Sequence, residues 1–249
     1  MEISLKTQVE QARLHRTTGF RSIGWLPLPG AELFDPPVCL IGFDTAAFRP
    51  QAFASSGLTC PPGVGRSVTK RQAEFFFGRM AARQALTALG RPAVDIPIGT
   101  SREPVWPAGL IGSISHTASI AAAVVIQQGT RRGVGIDIES VVDDEAKEAL
   151  LATALSAQEV EHLQTTGLPL NTALTVAFSA KESLFKAAFV QARRHFDFKA
   201  ARLRKLDTMT GELVLGIQED LCAAILRGTA LQLNFRLLNR STVFTSCLC

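Results

Sequence analysis

The sequence lacks any long apolar run. The longest unbroken stretch, Ile120 to Ile126, falls far short of the roughly 18 residues that read as a membrane span. The first residues, Met1-Glu2-Ile3-Ser4-Leu5-Lys6, carry no apolar core, so no secretory signal is expected. No Cys-x-x-Cys pair occurs among the five cysteines, and their odd count argues against a disulfide framework. Free cytosolic thiols are the simplest reading, and Cys247-x-Cys249 is too sparse for zinc. There is no zinc-finger spacing, no ribonucleoprotein motif and no Lys/Arg block, which disfavours nucleic acid. No repeat of 20–50 residues is visible, and no tyrosine is present.

What is there reads as globular. The chain has 249 residues, 47% of them hydrophobic and 19% charged, enough to bury roughly three quarters of the unfolded surface without metals or disulfides. Its net charge of +4 is unevenly placed. Residues 1–130 hold twelve Lys/Arg against eight Asp/Glu, whereas residues 131–249 hold fourteen of each. Arg66 to Arg102 concentrates seven basic residues (Arg66, Lys70, Arg71, Arg79, Arg83, Arg91, Arg102) against Glu74 and Asp95. Such a run attracts an acidic protein or a phosphate-rich molecule, or it is a solvated helix face.

Residues 1–65 read as irregular with one or two strands. Val68 to Leu89 has helical spacing, ended by Gly90-Arg91-Pro92. Ile96 to Pro107 reads as a strand and a turn, and Ile111 to Ser115 is short and mixed. Ile120 to Ile126 reads as a buried strand. Val134 to Glu139 alternates with period two and sets Ile136 and Ile138 against Asp137 and Glu139. Glu145–Leu155, Ala157–Leu163 and Leu174–Ala192 look helical, and segments at Glu212, Leu231 and Thr242 look like closing strands. The class is α+β. Two halves, 1–130 and 131–249, meet at a hinge near 127–133.

Three segments hold chemistry. Asp137-Ile138-Glu139 puts two carboxylates about 6.5–7 Å apart on one face, fit for one hard cation; a polar outer strand face is the plainer account. Phe178-Ser-Ala-Lys-Glu-Ser-Leu-Phe-Lys186 puts Glu182 and Lys186 on one helix face. An ordinary surface pair, or a capping box at Ser179, would look the same. Gly112-Ser-Ile-Ser-His-Thr117 offers hydroxyls and an imidazole to a phosphate, or is a Ser/Thr-rich turn. A Ser/His hydrolase is disfavoured, since the Gly-x-Ser-x-Gly elbow is absent and Ser115 and His116 diverge if extended.

The combination says more. Trp106-Pro-x-Gly-x-x-Gly112-Ser-Ile-Ser-His-Thr, then Gly135-Ile-Asp-Ile-Glu, then Phe178-Ser-Ala-Lys-Glu-Ser-x-Phe-Lys resembles the 4′-phosphopantetheinyl transferase superfamily. Lys70-Arg-Gln-Ala-Glu-Phe75 with Gly78-Arg79 and Arg83 resembles its monomeric branch, associated with siderophore synthases and Pseudomonas-type carrier-protein activation. The resemblance runs from about Arg66 to Lys186, roughly half the chain.

It implies a pseudo-dimer of two similar α/β halves with coenzyme A in the cleft between them. Residues 1–130 would serve the nucleotide side and residues 131–249 the metal and the chemistry. It implies Mg²⁺ on Asp137, Glu139 and Glu182, and transfer of phosphopantetheine from coenzyme A to a carrier-protein serine with release of 3′,5′-ADP. Glu182, or a metal-polarised water, would take the serine proton, and Lys186 would stabilise or protonate the leaving phosphate. Ser115 and His116 match contacts to the 3′-phosphate; Lys70, Arg71 and Arg102 are further phosphate or adenine contacts. Arg79 and Arg83 are equally structural ion-pair formers. Glu103 stands where some relatives have lysine, with Arg102 beside it, and Glu159 resembles a further acidic position near the metal.

The expected partners are coenzyme A and an apo acyl or peptidyl carrier protein, without nucleic acid or membrane, in a cytoplasmic monomer. Carrier proteins are acidic, which suits the basic first half. A non-catalytic binding module would bind without turnover, and a Mg²⁺-dependent phosphohydrolase would release 3′,5′-ADP without an acceptor.

Overall fold

The computed structural model describes residues 18–31 and 35–249. The reading of the first residues, Met1 to Lys6, lies outside them. In chain order the described elements are β1 (Phe20–Leu26), β2 (Val38–Phe43), α1 (Ala52–Ser55), α2 (Pro62–Gly65), α3 (Thr69–Ala88), β3 (Leu110–His116), β4 (Ile120–Gln127) and β5 (Val134–Ser140). There follow α4 (Asp144–Thr153), α5 (Ala157–Gln164), α6 (Leu170–Ala192), a 3₁₀ turn (Phe198–Ala200), β6 (Ala201–Asp207), β7 (Glu212–Ile217), β8 (Ala230–Asn239) and β9 (Thr242–Leu248). The strands form two sheets, ordered β1-β2-β4-β3 and β5-β9-β8-β7-β6, so the class is α+β.

The chain divides into two compact units. One holds Pro36–Pro107 and Ile114–Val125 with the described residues up to Pro27; the other holds Ala108–Ser113 and Ile126–Cys249 with the described residues between Leu28 and Asp35.

In the first unit, α3 packs on β2. Phe43 of β2 stacks on Phe77 of α3, ring centres 4.5 Å apart, and Phe48, Phe53 and Phe76 close round them edge-on or tilted. All five rings are buried. Because none is a tyrosine, no hydroxyl has to be satisfied inside the cluster. Gly90, at φ 70°, follows the last turn of α3 in the left-handed region that glycine enters without strain.

In the second unit the sheet is antiparallel throughout. Helix α6 lies on β5 and β9 and carries Ala173, Leu174, Ala177, Ala180, Leu184 and Ala187 into the core. The alanines keep that face thin, so the helix comes close to the sheet. Capping fixes the two shorter helices. Asp143 accepts from the backbone N–H of Ala146 at the start of α4, and Ser156 with Glu159 forms a reciprocal box at the start of α5.

One expectation needs correction, and one strand was not foreseen. Ile96 to Pro107 forms no strand beyond a single bridge between Ile98 and Pro104. Its prolines at 97, 104 and 107 lack the N–H that a ladder needs. Strand β6 escaped the reading because the register shifts between Leu203 and Lys205, which breaks the period-two signal. No described helix is long and apolar enough to cross a membrane.

Candidate functional site

The second unit's charge cluster follows from a match of pitches. Two residues of strand advance about 6.6 Å and four residues of helix about 6 Å, so a strand and an antiparallel helix stay in step. Odd-numbered residues of β5 and its approach face α6. A Cβ on Gly133 would collide with the carbonyl of Ala187, and one on Gly135 with the carbonyl of Ser183. One step further along, Ser179 Oγ donates to Asp137 Oδ2 at 2.8 Å. The two glycines therefore let the helix sit close enough for its side chains to reach Asp137.

Asp137 is buried, and its other oxygen, Oδ1, accepts from Lys186 Nζ at 2.6 Å. Ser179, Glu182, Ser183 and Lys186 stand at i, i+3, i+4 and i+7 on α6, one polar stripe on a largely apolar helix. Burial pushes the Glu139 carboxyl up to about 7, and the charges of Asp137 and Glu182 add to this while Lys186 opposes it. Burial also raises Glu182; Lys186 opposes that shift and Asp137 adds to it. The three carboxylates thus feel one another and share one ammonium. Among the described residues no three His, Cys, Asp or Glu side chains already converge as a metal cluster. The donor chemistry nonetheless fits a hard divalent cation: oxygen ligands only, half-buried or buried, with excess negative charge that a dication would relieve. Glu182 also borders a pocket of about 240 Å³ walled by Phe185, His195, Phe196 and Phe198.

Lys181 and Glu159 belong to a different arrangement. Their side chains are 2% and 4% exposed and meet at 2.8 Å. Lys181 also donates to the Ala154 carbonyl, while Glu159 accepts from the backbone N–H groups of Leu203 and Ser156. The pair is asymmetric. Burial raises Glu159, but Lys181 and the two N–H donors outweigh it and hold the carboxyl below its usual value. Burial of Lys181 outweighs the pull of Glu159 and leaves the ammonium below its own. Glu159 ties α5 to α6 and β6, and its oxygens are occupied by that task.

In the first unit, α3 and β3 assemble a basic group. Arg71 Nη1 lies 2.9 Å from His116 Nε2, and Glu74 Oε2 lies 3.6 Å from Arg71 and 3.8 Å from His116 Nδ1. Lys70 reaches the other oxygen of Glu74 at 4.0 Å. A guanidinium only donates, so in this contact His116 Nε2 accepts and the ring proton sits on Nδ1, toward Glu74. Ser115 is buried on the same strand. As its neighbour in sequence, it leaves the opposite face of β3 from His116. Ser113 has a structural task, with its hydroxyl 3.0 Å from the Ile136 N–H. Arg102 is exposed in the turn from Gly99 to Glu103, at φ 70°, and shares no described contact with the Arg71 group. Arg79 and Arg83 are structural. Arg79 donates to the Ile96 carbonyl and lies over the Phe75 ring, and Arg83 holds the Ser56 and Gly57 carbonyls and Asp95. Glu103 accepts from the Ser101 N–H within its own turn.

Two family descriptions match this chain. The 4′-phosphopantetheinyl transferase N-terminal domain matches residues 62–126, and the 4′-phosphopantetheinyl transferase superfamily matches residues 133–234. The chain belongs to the 4′-phosphopantetheinyl transferase superfamily. Enterobactin synthase component D of Salmonella typhi is 47% identical over 47% of this chain and 48% of its own length. That of Salmonella typhimurium is 38% identical over 65% and 64%. The 4′-phosphopantetheinyl transferase PptT of Mycobacterium tuberculosis is 37% identical over 60% and 65%. In these three pairings the match spans less than two thirds of the relative. The holo-[acyl-carrier-protein] synthase of Thermotoga maritima aligns at TM-score 0.35 and 19% identity over 47% of this chain and 62% of that one. Membership of the transferase superfamily rests on the sequence matches.

Thr245 is absent from any motif reading. It lies directly opposite Asp137 in the β5–β9 register and contacts Ser179, 66 residues away in sequence. Only the strand pairing reveals it. The Ser179 and Ser183 hydroxyls had a signal, their i,i+4 spacing in the Glu182 stripe.

Proposed function

We propose that this protein transfers the 4′-phosphopantetheine group of coenzyme A to a serine of an acyl or peptidyl carrier protein, in a Mg²⁺-dependent reaction that releases 3′,5′-ADP. The observation that carries the reading is the buried Asp137 carboxylate, 2.6 Å from Lys186, whose charge adds to the burial that raises Glu139 and Glu182. Family membership and relatives named as transferases or as enterobactin synthase components support it.

Asp137, Glu139 and Glu182 would hold the cation, which when bound supplies charge neutralisation on the diphosphate. Glu182 takes the proton of the carrier serine as its oxygen bonds to phosphorus on the pantetheine side. The bond from that phosphorus to the ADP oxygen breaks, and Lys186 stabilises the departing phosphate. The aromatic pocket beside Glu182 accommodates the pantetheine arm. Arg71, Lys70 and His116 bind the 3′-phosphate, with Ser115 and Arg102 in supporting roles. The enzyme acts as a monomer.

The test is the mass of the acceptor. Purified protein, coenzyme A and Mg²⁺ are incubated with apo fatty-acid and peptide-synthetase carriers. The expected product carries one added phosphopantetheine, and the addition is lost with Asp137→Ala. Unmodified acceptors across all carriers would overturn the proposal.

A further inference from the structure

Behind Asp137 lies a set of buried hydroxyls that none of the roles above uses. Ser179, Ser183 and Thr245 are all fully buried. Ser179 Oγ is 2.8 Å from Asp137 Oδ2 and 2.9 Å from Thr245 Oγ1. Ser183 Oγ is 2.7 Å from Thr245 Oγ1, and Thr245 also donates to the Ser179 carbonyl at 2.9 Å. Each hydroxyl owns a single proton, and that count fixes the directions. An ionised Asp137 only accepts, so Ser179 spends its proton on Oδ2. Ser179 Oγ is then an acceptor toward Thr245, whose proton is shared between the Ser179 hydroxyl and carbonyl. Thr245 Oγ1 in turn accepts from Ser183.

The geometry points to Thr245, Ser179 and Ser183 as a positioning relay for the Asp137 carboxylate. Ser179 gives its proton to the carboxylate directly, Ser183 donates to Thr245, and the Thr245 proton steadies Ser179 through that residue's hydroxyl and carbonyl, each bond polarising the next. The relay ties three elements together, since Asp137 is on β5, Thr245 on β9 and the two serines on α6. It commits Oδ2 inward and leaves Oδ1 as the oxygen offered to Lys186 or to a cation. Thr245 sets the orientation without touching the reacting atoms. This inference rests on the function proposed above, because an oriented Asp137 matters only where it binds a cation.

The experiment pairs Thr245→Val, which keeps the shape and removes the hydroxyl, with Thr245→Ser, which keeps the hydroxyl. Mg²⁺ affinity is read by calorimetry on the coenzyme A complex, alongside acceptor-mass kinetics. Removing such an outer partner is expected to weaken Mg²⁺ binding by about tenfold or more, while Thr245→Ser stays within about twofold of the parent. Ser179→Ala, which removes the direct donor from the helix, is measured in the same way and keeps the test open if Thr245→Val does not fold. Mg²⁺ binding within twofold of the parent in both hydroxyl-deleted proteins overturns the relay. So does equal loss in Thr245→Val and Thr245→Ser, which would assign the effect to packing. A parent that binds no Mg²⁺ and modifies no carrier overturns the transferase reading itself, a result separate from an active parent with unaltered variants.

Discussion

Asp137 shows how one side chain can be both anchored and available. One oxygen is held by Ser179 and the other by an ammonium whose side chain is 25% exposed and so within reach of water. Asp137→Asn keeps the volume and an oxygen acceptor for Ser179 but removes the charge. Its expected effect is a fall in kcat of about 10²–10³, the size seen when a directed electrostatic contact is deleted, with little change in Tm. Transfer kinetics beside a thermal melt check both halves of that expectation. Glu159 predicts the reverse pattern. Glu159→Gln leaves Lys181 buried beside a weaker partner, so stability should fall by about 3 kcal/mol, roughly 6–12 °C of Tm in a chain of this size. The pH sign follows from the lowered carboxyl. Its folded pKa lies below the usual 4.5, so the stabilisation is full above that value and is lost as pH falls through the folded pKa. Melts between pH 3 and 6 should show an acid slope in the parent and a shallower one in Glu159→Gln. Equal slopes would remove Glu159 as the cause.

The elements explain what could be read in advance and what could not. Helix α3 was legible from its apolar spacing and its Gly90 stop, and β5 from strict alternation. The same alternation predicts a solvated face for Asp137 and Glu139, yet Val134 to Ile138 is buried on both sides because α6 covers the odd-numbered face. A strand's own sequence cannot announce a helix that arrives from residues 170–192. The glycines were the nearest signal, and their use is now specific: they admit the helix backbone. Gly135→Ala should therefore push α6 away from β5, lowering stability by about 3 kcal/mol and removing activity as Asp137 and Lys186 separate. Gly63→Ala is the matched control, since a Cβ there meets nothing within 4 Å. Thermal melts of the two variants decide it, and equal Tm values would show that the close approach is dispensable. Strand β6 and Thr245 stayed hidden for related reasons. A register shift masks the first, and strand pairing across the sheet creates the significance of the second.

Across the whole molecule the charge asymmetry changes meaning once partners are known. Of the seven cations between Arg66 and Arg102, Arg79 is buried and Arg83 is pinned to carbonyls and Asp95. Five remain exposed: Arg66, Lys70, Arg71, Arg91 and Arg102. Lys70 and Arg71 are drawn toward Glu74, whereas Arg66 and Arg91 stand outside that group. If an acidic carrier protein is the acceptor, this exposed set raises the encounter rate through long-range attraction, which salt screens with a Debye length of about 8–10 Å at 0.1–0.15 M. The expected signature is a fall in kcat/KM for the carrier as ionic strength rises, carried by KM, while kcat stays level. Replacing Arg66 and Arg91 together with glutamate should lower carrier kcat/KM by about tenfold at low salt and leave little difference at high salt, with Tm unchanged because neither side chain is buried. The salt series on parent and double variant separates steering from binding. Parallel lines would show that these two cations act only at close range, and a level response in both would place the carrier's approach away from the basic segment.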